Sequence, residues 1–107
     1  MLEISNRKVA QVAVMARELD RAEGELRAFI DRLGMDEQAE LTAIMWIGRG
    51  SFEAEELGEA IETAKREATT PTADYLIGTP HLADNIEAGL EALGVDVHEA
   101  EGDVIGR

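Results

Sequence analysis

Apolar residues along this chain recur mostly at three- and four-residue steps, the spacing that turns one face of an α-helix toward a core. Val9, Val12, Ala13, Ala16 and Leu19 form the first such stripe. Ser5 stands ahead of it as an N-cap, with Ile4 and Val9 at the two positions of a hydrophobic staple. The pattern predicts a helix to about Arg21, with an interruption at Gly24. Leu26, Phe29, Ile30 and Leu33 make a second, shorter stripe that Gly34 stops at a C′ position. Asp36 is then the expected cap of a third helix, with Glu37 in its first turn against the helix dipole.

That third helix, residues 39–47, is apolar on nearly every side, which marks it as the central one. Gly48 and Gly50 are expected to end it, with Arg49 between them. Ser51 reads as the cap of a fourth helix whose inner face is Leu57, Ile61, Ala64 and Ala68. Thr70-Pro71 and Thr79-Pro80 each offer a threonine cap followed by proline at the first helical position. They predict a short helix closed by Gly78 and a longer one with Leu82, Ala83, Ile86, Leu90 and Leu93 inward, closed by Gly94. After Gly94 the period fails. The expected fold is therefore all-α, a compact bundle of about five to six helices over residues 1–94. Residues 95–107 are expected to form a flexible, disordered acidic tail.

Composition narrows the functional classes. At 107 residues the chain is the size of one domain, and it has no cysteine, so disulfides and thiolate chemistry are excluded. The opening residues lack the basic stretch and apolar run of a signal peptide, and no apolar segment is long enough to span a bilayer. A cytoplasmic location is the expectation. Net charge is −13 and unevenly spread: residues 1–50 hold nine acids against seven bases, residues 51–107 fourteen against three. Such a surface repels phosphate backbones and anionic membranes, so direct binding to nucleic acid or to a membrane is disfavoured. A basic protein remains an acceptable partner.

No set of residues makes a coherent catalytic centre or calls for a cofactor. Serine occurs only at Ser5 and Ser51, both expected as helix caps. His81, Asp84 and Glu87 drift round a helix rather than converging, Glu37 and Glu40 are an isolated pair, and no metal motif is complete. The acidic run in the tail lacks the order of a calcium loop. The Gly48-Arg49-Gly50 turn before a helix start could hold a carboxylate or phosphate through Arg49 and backbone N–H groups. The alternative is a tight helix–helix turn with Arg49 paired to one of many acids. Trp46 and Tyr75, aromatic with polar tips, suit a groove or a dimer face.

Met45-Trp46-Ile47-Gly48-Arg49-Gly50 and the run from Thr72 to Asp84, with Asp74-Tyr75-Leu76-Ile77-Gly78-Thr79-Pro80-His81 at its heart, resemble an uncharacterised bacterial family, domain of unknown function 3775. The opening Leu2-Glu3-Ile4-Ser5 is similar too, so the resemblance spans most of residues 2–94. It implies an independently occurring bacterial domain and transfers no site, while drawing attention to Arg49, Tyr75 and Asp84. The leading functional expectation is a non-enzymatic protein-interaction domain, binding a protein partner or itself. The alternative is a binder of a small anionic metabolite, or an enzyme acting on one, using a cleft near Arg49, Tyr75 and Asp84. A weaker alternative is an acidic mimic of nucleic acid that inhibits a basic protein. Trp46, Arg49, Tyr75 and Asp84 are the candidate interaction or ligand residues, with no catalytic and no metal-binding residue among them.

Overall fold

The computed structural model describes residues 2–95. Six α-helices follow in order: α1 (Asn6–Arg17), α2 (Leu19–Arg32), α3 (Met35–Arg49), α4 (Leu57–Arg66), α5 (Thr72–Ile77) and α6 (Leu82–Ala92). A turn of 3₁₀ helix, Ala54–Glu56, leads into α4, and no strand occurs among the described residues. The fold is all-α, as the periodicity predicts.

α3 is the central helix. Ala39 to Met45 and Ile47 are all buried along it, and it packs on α4, α5 and, most extensively, α6. α6 lies between α3 and α1, while α2 folds back on α1 and covers α5. Leu26, Ile30, Leu41, Ile44, Met45, Leu76, Ile86 and Leu90 meet in one core, each at most 1% exposed. Burial of that order stabilises by roughly 1.5–3 kcal/mol per large side chain, which is why the apolar stripes decide the architecture.

Local boundaries depart from the sequence pattern in instructive ways. Ser5 caps α1 as expected, its hydroxyl accepting the Lys8 N–H at 3.1 Å. The helix then ends at Arg17 rather than Arg21, and the chain turns at Glu18. Gly24 does not interrupt anything: α2 runs through it with its inner face, Leu26 and Ile30, fully buried. A penalty of about 1 kcal/mol for a mid-helix glycine is small against that burial. The cap of α3 lies two residues before Asp36, at Gly34, whose N–H donates to the Glu37 carboxylate at 2.9 Å. Gln38 reaches back from α3 and donates to the Ile30 and Leu33 carbonyls, closing the C-terminus of α2.

Gly48 does not end α3 either. A Cβ built on it would lie 1.7 Å from the Asn85 carbonyl oxygen, and one built on Gly89 would lie 2.1 Å from the Ile44 oxygen. The two glycines let the backbones of α3 and α6 touch. The true stop is Gly50, in the left-handed region at φ 92°, where the Ser51 N–H returns to the Trp46 carbonyl. Both threonine–proline starts shift, by one residue and by two, so that α5 begins at Thr72 and α6 at Leu82. The Thr79 hydroxyl instead donates to the Tyr75 carbonyl at the end of α5, and His81, at φ 58°, turns the chain into α6. Val95, first residue of the expected tail, packs against the core, its N–H on the Leu90 carbonyl. The rest of that tail lies outside the described residues.

Candidate functional site

Trp46 sits on the last full turn of α3 and leans out of the core between two partners. Its indole Nε1–H donates to the Tyr75 hydroxyl at 2.9 Å. Its ring stacks on Phe52, with centroids 5.8 Å apart and planes 25° from parallel. The stop of α3 at Gly50 places Phe52 there, and the short α5 presents Tyr75 from the other side. Tyr75 remains 36% exposed, so this pair is at the surface and not part of the core.

Beside the pair lies a cleft of about 300 Å³ between α3, the end of α4, the 67–71 connection and α5. Thr42, Trp46, Ala64 and Tyr75 form its inner walls, and Glu67, Ala68 and the threonines of the α4–α5 connection line its mouth. The Thr42 hydroxyl is committed to the Gln38 carbonyl at 3.1 Å. Among the described residues the lining holds one charged residue, Glu67, and no base. Of the sequence candidates, then, Trp46 and Tyr75 are joined. Arg49 is exposed one turn beyond Trp46, its Nε–H on the Ser51 hydroxyl, and does not line this cleft. Asp84 is exposed in the first turn of α6 and borders a separate shallow groove with Arg17, Pro80 and His81. Arg49, Tyr75 and Asp84 therefore do not surround one cleft.

The acids considered for metal binding have other duties. Glu40 is buried at 6% exposure, and its two oxygens accept the N–H groups of Glu3 (3.0 Å) and Ile4 (2.8 Å). That clasp holds the N-terminal segment against α3. The Glu37 carboxyl is held below the usual carboxylate range by the Gly34 N–H and then by Lys8, whose Nζ lies 3.0 Å away. Glu87 pairs with Arg17, and Asp74 with Arg27, whose guanidinium is pushed up by that contact. Lys65 reaches from α4 to Asp36 at 3.0 Å, which raises its pKa. No group of three potential metal ligands converges among the described residues.

Sequence reasoning missed the threonines, Ala64, Glu67 and Ala68 as cleft residues. The available signal was the run Thr69-Thr70-Pro71-Thr72 beside an otherwise apolar helix that carries Thr42. What it lacked was the fold-back that sets that run against Trp46.

Compared with known families, the pattern described as Protein of unknown function (DUF3775) matches residues 23–95. The chain belongs to this family. The matched span contains α3 to α6, the Gly48–Gly89 crossing and the whole cleft, while Leu2 to Ser5 and α1 precede it. No curated protein and no solved structure matches the chain. DUF3775 membership therefore brings no activity with it. No helix among the described residues is long and apolar enough to cross a membrane.

Proposed function

We propose that this DUF3775 member is a non-enzymatic, cytoplasmic interaction domain that docks a basic protein partner through its acidic half. The observation carrying this reading is the charge left over after internal pairing. Residues 51–95 hold ten acids and two bases. Two of those acids, Asp74 and Glu87, are met by Arg27 and Arg17 from the other half, and Lys65 is drawn off to Asp36. Among the described residues Glu53, Glu55, Glu59 and Glu67 are exposed and have no ion-pair partner. Like charges near one another on a helix are destabilising, by about 0.2–0.5 kcal/mol per pair, and a basic surface relieves that repulsion.

Self-association through the same face is opposed by its own charge, so a second copy would have to use the balanced α1–α2 side. The small-anion reading finds less support, because Arg49 lines no part of the cleft and Glu67 faces an anion there. Affinity capture from the native host, washed at low and at high salt, tests the proposal. A basic protein retained at low salt and released at high salt supports it. Capture of neutral or acidic proteins that resist salt, or of nothing, overturns it.

A further inference from the structure

The geometry points to the Trp46–Tyr75 cleft as a socket for one lysine or arginine side chain of the partner. The socket deepens the proposed function and rests on the partner being basic. Three features of the cleft select that occupant. Its size, about 300 Å³, is at the small end of ligand-binding clefts, enough for a side chain and too little for a folded surface. Apart from Thr42, whose hydroxyl is spent on the Gln38 carbonyl, its inner walls are apolar or aromatic: the indole of Trp46, the ring of Tyr75 and the methyl of Ala64, with Ala68 near the mouth. The methylene stem of a lysine or arginine covers such a surface well.

The polar groups toward its mouth can all accept. Glu67 carries the only formal charge of the lining among the described residues, and the hydroxyls of Thr69, Thr70 and Thr72 accept as readily as they donate. The Trp46 N–H is already spent on the Tyr75 oxygen, so the indole offers its face and not its donor. An aromatic face near a carboxylate attracts a cation and repels an anion. The whole-molecule charge of −13 acts in the same direction, gathering basic segments toward this side. The stacking on Phe52 and the bond to Tyr75 fix the indole before any partner arrives, so little ordering is left to do on binding.

Trp46 is the only tryptophan, so its emission reports on the cleft directly. The probes are glycine-flanked peptides, identical except for a central lysine, arginine, acetyl-lysine or norleucine, with free spermidine as a further ligand. Lysine and arginine peptides are expected to change Trp46 emission saturably, and the two uncharged peptides to do so at least tenfold more weakly. Glu67→Gln should weaken the charged peptides about two- to fivefold, as loss of an exposed ion pair does. Ala68→Leu, which fills the mouth, should remove the response; both positions are exposed, so the fold is kept. Equal responses to lysine and acetyl-lysine would overturn the socket. So would charged peptides that bind while Trp46 emission and the Ala68→Leu variant show no difference, although the basic-partner proposal would then survive. Spermidine binding as tightly as the peptides would replace the protein segment with a free polyamine. Absence of any cationic binding, together with capture of no basic protein, would remove both.

Discussion

At the scale of single residues, two glycines show how far identity alone can mislead. Gly24 and Gly48 both read as helix breakers, and both lie inside helices. Their surroundings are opposite. Nothing lies within 4 Å of a Cβ at Gly24, whereas one at Gly48 collides with the backbone of Asn85. Gly24→Ala should therefore stabilise the fold by about 0.5–1 kcal/mol, since it only removes backbone freedom from the unfolded chain. Gly48→Ala should destabilise it by about 2–3 kcal/mol or more, because two helices must separate. Denaturant midpoints of the two variants measure both effects, and like-signed changes would refute the packing described. Gly48 was legible as a special position, since the family motif runs through it. Its role was not, because the atoms it spares belong to α6, about forty residues away in sequence.

Two residues also tie elements together by charge. Glu37 has its pKa lowered in the folded state by the Gly34 N–H and Lys8, so its contribution is present at neutral pH. That contribution is lost as pH falls through the depressed folded value. Lys65 has its pKa raised by Asp36, so its contribution is complete below the ordinary lysine value of about 10.4 and fades above it. Stability of Glu37→Gln should converge on that of the parent chain in acid, and that of Lys65→Met should converge in alkali. Thermal melts across pH check both limbs. A gap between variant and parent that does not change with pH would contradict the linkage.

Among elements, the helices and their inward faces were readable because burial of stripes such as Leu26 and Ile30 outweighs local propensity. Several of their ends were not. α1 stops at Arg17 so that α2 can fold back, a tertiary demand that no local residue announces. The two Thr-Pro pairs suggest caps, yet Thr79 serves the end of α5 and not the start of α6. The N-terminal clasp was equally hidden, since Glu40 looks like any acid on a helix until its carboxylate is seen to hold Glu3 and Ile4. Glu40→Ala leaves the buried Ile4 N–H without its partner and should cost about 1–3 kcal/mol. The sharper readout is amide exchange: the Ile4 amide should lose protection while the amides of α3 keep theirs. Unchanged protection at Ile4 would mean that Glu40 does not hold the segment.

Across the whole molecule, charge and shape divide the labour. One half carries nearly balanced charge and supplies the clasp. The other half is left with exposed acids on α4 and an aromatic cleft at its C-terminal end. The charge asymmetry was plain in the sequence, and so were Trp46 and Tyr75 as residues suited to a groove. Their meeting at 2.9 Å, and the distance of Asp84 from that meeting, required the fold. The most direct test of the central claim is quantitative capture of host proteins by the parent chain and by the triple variant Glu53→Lys, Glu55→Lys, Glu59→Lys. All three positions are exposed, so the bundle should survive the change. Basic proteins held by the parent at low salt, released at high salt and ignored by the variant are the predicted result. Partners retained equally by parent and variant, at either salt concentration, would contradict an acidic docking face.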